Sequence, residues 1–267
     1  MPPESVIRSR QNPIYKQIRS LLRRDRRHKE RAFLVEGPRF IEDAIATGAE
    51  PTLIAVAEST VRAGQPLAGR AVRVFGDELF EGLSDTVHSQ GTLAVFPIPT
   101  LTPTEGITPF LLVVDAVQDP GNLGTLIRSA SGAGVTEVVV LPGTVDPWSP
   151  KTVRAAAAAH FLVPIVSSTV DALGTRIGAG MELLAADANA DTSYDNCALT
   201  GPIAVVVGAE GAGLSASVRA LDPTPISIPL ESGLESLNAG VAGSVILFEA
   251  SRQRRAQANS TKTPDSS

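Results

Sequence analysis

The chain is short of the residues that most often announce a chemistry. Its 267 residues hold one cysteine, Cys197, which excludes an internal disulfide. With only three histidines, His28, His88 and His160, no ligand set for a metal cluster emerges, and a metal-free protein is expected. No apolar run approaches the ~20 residues that a membrane helix needs. Nor does any segment repeat. Yet 43% of the residues are hydrophobic, enough to bury a core, and the length allows about two domains. These features predict a soluble, cytoplasmic protein in a reducing setting, with no membrane partner.

The net charge of −5 argues against a polyanion partner only as an average. Residues 1–31 carry ten cations (Arg8, Arg10, Lys16, Arg19, Arg23, Arg24, Arg26, Arg27, Lys29 and Arg31) against Glu4, Asp25 and Glu30. That segment is +7, which leaves −12 for the rest of the chain. A basic arm on an acidic body suits contact with RNA. A solvated helix face and a transit peptide are the plainer alternatives. Ile14, Ile18, Leu21 and Leu22 form a helical stripe in the arm, which predicts that it docks on a domain.

Residues 1–97 read as a small α/β domain. After the basic helix come a strand at 32–35, a helix at 39–47 entered through Gly37-Pro38, and strands at 53–57 and 72–75. A helix at 77–83 and a strand at 93–96 complete it. Four prolines in thirteen residues, Pro97, Pro99, Pro103 and Pro109, mark 98–109 as a semi-rigid linker. From 110 to 255 strands and helices alternate, which predicts a parallel sheet. Strands are expected at 110–114, 137–141, 161–166, 181–186, 203–207 and 226–228. Helices are expected at 123–132, with Asn122 as its cap, and at 151–159, 170–177 and 215–221. The last helix, 237–255, is expected to bury Leu237, Val241, Val245 and Phe248 and to end in Arg252, Arg254 and Arg255. Residues 256–267 are polar and read as a disordered tail.

The stretch Pro202–Gly243 organises the second half. Two short apolar runs rich in β-branched residues, Ile203–Val207 and Ile226–Leu230, each end in a loop of small and polar residues followed by a helical pattern. Ligands of α/β proteins bind at such strand ends. The first loop is Gly208-Ala-Glu210-Gly211-Ala-Gly213; the second closes in Glu-Ser236-Leu237-Asn238.

These two loops resemble the second and third motifs of the SpoU (TrmH) family of RNA ribose 2′-O-methyltransferases, in the SPOUT superfamily. The first motif stands upstream in order as Asp119-Pro-Gly-Asn122-Leu-Gly124-Thr-Leu-Ile-Arg128. The resemblance implies an α/β fold with a trefoil knot around the last helix, a homodimer and S-adenosyl-L-methionine as cofactor. It implies cofactor contacts at Val207, Gly208, Gly213, Leu214, Ile228, Pro229, Leu237 and Asn238. Arg128, Asn122, Glu210, Asn238 and, with less weight, Ser236 become the candidate catalytic residues. Residues 1–97 look like the substrate-binding domain that precedes the catalytic one in many members. In that likeness Arg8, Asn12, Lys16, Glu36, Gly37 and Arg39 are candidate RNA contacts. The added domain and the Phe-Glu-Ala-Ser-Arg-Gln-Arg end resemble the ribosomal RNA branch rather than the transfer RNA branch.

Seen alone, Asn122 reads as a helix cap and Arg128 as a solvated side chain. Arginine is a poor base because it hardly ever deprotonates, so Arg128 is expected to clamp phosphate and orient the hydroxyl. A dinucleotide enzyme is a weaker reading, since the glycine order is reversed relative to G-x-G-x-x-G and no acidic residue ends a strand ~20 residues on. A non-catalytic RNA-binding protein on the same scaffold would be expected to have lost Arg128 or Asn238, and both are present.

Overall fold

The computed structural model describes residues 6–64, 71–86, 89–231 and 235–260. Residues 261–267 of the expected tail lie outside these. The chain forms two compact units. The first holds the described residues of Met1–Thr100 together with Trp148–Phe161, the second those of Leu101–Pro147 and Leu162–Ser267.

In the first unit the expected single basic helix is two, α1 (Pro13–Ser20) and α2 (Arg24–Glu30). Asn12 caps α1 by accepting from the Ile14 amide at 2.8 Å, and Pro13 suits the first turn because it has no amide to leave unpaired. Then follow β1 (Ala32–Glu36), α3 (Pro38–Ala46), β2 (Leu53–Ala57), α4 (Glu58–Arg62), β3 (Arg73–Phe75), α5 (Asp77–Glu81) and β4 (Thr92–Pro97). The sheet order is β1-β4-β2-β3, with β4 antiparallel to both neighbours and β2 parallel to β3. Side chains alternate across this sheet. Leu34, Leu93 and Val95 face Ile18 and Leu21, so the arm's apolar stripe is core. Phe33 and Phe96 face the other way and pack on Phe161 at centroid distances of 5.6 and 5.0 Å. Trp148 lies 5.0 Å from Phe33. This aromatic face is why Trp148–Phe161, far along the chain, belongs to the first unit.

The second unit contains β5 (Phe110–Val114), α6 (Pro120–Ala133) and β6 (Glu137–Val140). After α7 (Pro150–Ala156), which belongs to the first unit, come β7 (Ile165–Ser167), α8 (Val170–Gly178), β8 (Glu182–Ala186) and β9 (Ile203–Val207). The chain ends with α9 (Ala216–Arg219), β10 (Thr224–Ile226) and α10 (Ala239–Ser260). All six strands are parallel, in the order β10-β8-β9-β5-β6-β7. β5 and β9 are buried along their whole length at the centre, as their apolar runs require. The chain moves outward from β5 through β6 to β7 and returns on the other side through β8 and β9. The β5/β9 boundary is therefore the switch point of the sheet.

Several expectations are corrected. The strand foreseen at 161–166 is only Ile165–Ser167, because Ala157–Phe161 continues α7 as a 3-10 turn. The strand foreseen at 226–228 is Thr224–Ile226, which leaves Ile228 in the loop. The last helix starts at Ala239 and runs to Ser260, five residues into the expected tail. Arg254 is consequently no C-terminal residue. Its guanidinium lies 4.6 Å from the Phe110 ring centroid and donates to the carbonyls of Leu199 (3.0 Å) and Gly201, holding the helix against β5.

The buried face of α10 also differs from the expected one. Val241 and Phe248 are 46% and 47% exposed, whereas Ala239, Gly240, Gly243, Ile246, Leu247 and Ala250 are buried. A Cβ on Gly243 would meet the Leu126 side chain at 2.4 Å and that of Val207 at 2.9 Å. Small residues let α10 press against α6 and β9, and a stripe search weighted to large side chains overlooks them.

Candidate active site

Asn122 is not the cap of its helix. The α6 helix begins at Pro120 with Asp119 as its cap, whose carboxylate accepts from the Asn122 amide at 2.9 Å. The Asn122 side chain is thereby released from capping. Its Nδ2 donates to Glu210 Oε1 at 2.5 Å, and its Oδ1 accepts from Asn238 Nδ2 at 2.9 Å. Asn238 Nδ2 also donates to Glu210 Oε1 at 2.7 Å, and the Ala239 amide approaches the same oxygen at 3.5 Å. Asn238 Oδ1 accepts from the Val241 amide at 3.2 Å and so caps α10. One residue from each of three sequence motifs thus meets in a single polar junction.

Local backbone geometry builds this junction. Gly208 directly follows β9, and a Cβ there would lie 2.5 Å from the carbonyl carbon of Gly213 and 2.8 Å from the Leu214 nitrogen. Only glycine admits the loop's return. Ala209 and Gly213 exchange backbone hydrogen bonds of 3.0 and 2.8 Å, with Gly211 and Gly213 at positive φ, so Glu210 projects from a tight turn. Behind the turn the buried Asp115 carboxylate accepts from the Ser215 amide at 2.6 Å and ties the start of α9 to the end of β5. Gly240 lies so close to α6 that its Cβ would be 3.4 Å from the Asn122 Cα.

Beside the junction opens a cavity of about 1250 Å3. Of the residues read from sequence, Val207, Gly208, Glu210, Gly213, Leu214, Ile228, Ser236, Leu237 and Asn238 line it. Pro229 is exposed and is not among the lining residues. Asp187, Arg219, Asp222 and Ile246 also line it and were missed. Asp187 directly follows β8, so its place at a strand end was the signal available; Arg219 and Ile246 come in through tertiary folding alone.

Arg128 is exposed on α6, and no ion pair or side-chain hydrogen bond joins it to another group among the described residues. Six residues along a helix turn it ~240° from Asn122, away from the junction. In the first unit, Lys16 and Arg39 are exposed, whereas Arg8 pairs with Glu58 at 2.8 Å. Asn12 is occupied as a cap, and Gly37, at φ +99°, is the buried turn into α3. Glu36 is turned inward, accepting from Ser84 Oγ at 2.6 Å and Thr86 Oγ1 at 2.9 Å. A groove of about 390 Å3 is edged by Lys16, Arg19, Arg23 and Arg26.

The SpoU rRNA methylase family model matches residues 109–248, the span that contains all three motifs and the junction they form. This chain belongs to the SpoU rRNA methylase family. A second model, an MRM3-like substrate binding domain, matches residues 12–94. Among SpoU relatives, the 23S rRNA (guanosine(2553)-2′-O)-methyltransferase RlmP of Bacillus subtilis is 30% identical over 91% of this chain and 97% of its own. The mitochondrial rRNA methyltransferase 3 of Homo sapiens is 31% identical over 87% of this chain and 70% of its own. The solved SpoU methyltransferase AviRb from Streptomyces viridochromogenes, in complex with AdoMet, superposes with a TM-score of 0.79. It is 28% identical and covers 92% of this chain and 99% of its own.

Proposed function

We propose that the protein is an S-adenosylmethionine-dependent methyltransferase that modifies a ribose 2′-hydroxyl in ribosomal RNA. The observation that carries this reading is the meeting of Asn122, Glu210 and Asn238 at the edge of a large cavity at the strand ends. S-adenosylmethionine supplies an electrophilic methyl group on a sulfonium. The cavity suits such a ligand: Val207, Ile228 and Leu237 offer apolar wall, and Asp187, Glu210, Asp222 and Glu235 offer negative charge to a cation.

A guanidinium is a poor proton acceptor and suits binding anions rather than acting as a base. Arg128 therefore clamps RNA phosphate and turns the hydroxyl oxygen toward the methyl group, an entropic contribution. Glu210 Oε1 is filled by Asn122 and Asn238, while Oε2 makes no hydrogen bond among the described residues and is placed to accept the hydroxyl proton.

A homodimer belongs to the same proposal. Val241, Val245 and Phe248 share one face of α10, and Val241 and Phe248 are large, apolar and about half exposed. The Phe248 ring comes within 3.3 Å of the Cβ position at Gly132, one helical turn beyond Arg128. A second copy covering this patch would bring Arg128 to its partner's junction. The trefoil threading of α10, supported by its packing on α6 through Gly240 and Gly243, and a cytoplasmic location, supported by the single cysteine, complete the reading. RNA is held by the first unit, where the groove of Lys16, Arg19, Arg23 and Arg26 supplies the charge.

Calorimetry tests this directly. Wild-type protein binds S-adenosylmethionine, and Arg128→Ala retains that affinity within about twofold while losing methyl transfer by at least about 100-fold. Full activity in the variant would remove Arg128 from the mechanism.

A further inference from the structure

We propose that Arg219 is a specificity-determining residue that reads the α-carboxylate of the methyl donor. The inference rests on the reading of the cavity as the S-adenosylmethionine site.

Arg219 closes α9, whose start is fixed by Asp115 through the Ser215 amide. Its Nη2 donates to the Ala212 carbonyl at 3.0 Å and lies 3.5 Å from the Cβ position at Gly213. The guanidinium is thus held against the glycine loop. Its remaining N–H groups make no hydrogen bond among the described residues. It is also the one Lys or Arg among the described residues that line the cavity, where Asp187, Glu210, Asp222 and Glu235 are all acidic.

S-adenosylmethionine carries three charges, a sulfonium, an ammonium and a carboxylate. The two cations are suited by the acidic wall, and the carboxylate is repelled by it. A planar guanidinium with free donors is the group that resolves this conflict, because it pairs with a carboxylate through two parallel hydrogen bonds. The adenosine is left to the apolar wall around Ile228 and Leu237. The competing role for Arg219 is a brace for the glycine loop alone.

A binding cycle separates the two. Calorimetry is run on wild-type protein, Arg219→Met and Arg219→Lys, with S-adenosylmethionine and with decarboxylated S-adenosylmethionine, which keeps the sulfonium, the amine and the adenosine. The proposal expects wild type to prefer the carboxylate-bearing ligand by about tenfold. Arg219→Met erases that preference by weakening S-adenosylmethionine alone, and Arg219→Lys restores part of it. Equal weakening of both ligands, or of neither, would overturn the proposal. Wild type binding neither ligand would instead overturn the cofactor reading on which it stands.

Discussion

Asn122 and Glu210 stand 88 positions apart in the chain and 2.5 Å apart in space, joined by a hydrogen bond from the asparagine amide to the carboxylate. The first follows β5 and the second follows β9, and those strands are neighbours in the sheet. The pairing registers Phe110 with Ile203 and Val114 with Val207, so both loops leave the sheet at the same level. Function here follows from strand order: the switch point brings two motifs together, and α10 brings the third.

A double-mutant cycle checks that relationship. Hydrogen bonds to charged groups contribute about 1.5–3 kcal/mol, so Asn122→Ala and Glu210→Ala should each lower methyl transfer about 10- to 100-fold. The double variant should lose little more than the worse single one. Fully additive losses would mean that the two residues act separately.

Two glycines of one loop predict opposite outcomes. At Gly208 an added Cβ meets backbone atoms at 2.5–2.8 Å, and at Gly211 it meets nothing within 4 Å. Gly208→Ala should therefore weaken S-adenosylmethionine binding by at least about tenfold, since the loop cannot close. Gly211→Ala, at φ +77°, should cost only the ~1 kcal/mol of left-handed strain and keep binding. Calorimetry with a thermal melt for each variant makes the comparison.

The half-exposed Val241 and Phe248, on the helix that packs against α6, predict a site shared between two copies. Arg128→Ala and Glu210→Ala are each expected to be strongly impaired alone. Mixed and allowed to exchange subunits, they should regain activity, because one of the two sites in a mixed dimer has both residues intact. Phe248→Glu should shift the protein to monomer in sedimentation and abolish the recovery. A mixture that stays inactive would place Arg128 and Glu210 in one subunit's site.

Burial pushes the Cys197 thiol above its ordinary range, reinforced by the nearby Glu182 and Asp195. The sign follows from linkage: a folded pKa above the unfolded one favours the native state until pH rises through the folded value. Native protein at pH 8 should thus be alkylated by iodoacetamide several-fold more slowly than the unfolded chain, and stability should fall above pH ~9. Equal alkylation rates would show a thiol that is not shielded.

Much of the fold is legible because the central strands are continuous apolar runs. Leu53–Ala57, Phe110–Val114 and Ile203–Val207 begin and end where their apolar residues do. Asn122, which the resemblance marks as a candidate catalytic residue, reads locally as a cap because asparagine is a good one. Asp119 before Pro120 carries the same signal, and the structure chooses it. The face of α10 differs for a related reason: Val241 and Phe248 point outward while Gly240 and Gly243 lie inward with Ile246 and Leu247, so a stripe read from Val241, Val245 and Phe248 gives the wrong side. Glu36 illustrates the limit for polar residues, whose partners Ser84 and Thr86 are brought to it by tertiary folding. The cavity's Arg219 and Ile246 are out of reach for the same cause.

The most direct measurement is a map of ribose methylation in ribosomal RNA from cells that contain the wild-type protein, lack it, or carry Arg128→Ala. A single 2′-O-methyl group should be present with the wild type and missing in both other cases. A methyl group found on a base, or a ribose methylation pattern identical in all three, would contradict the assignment.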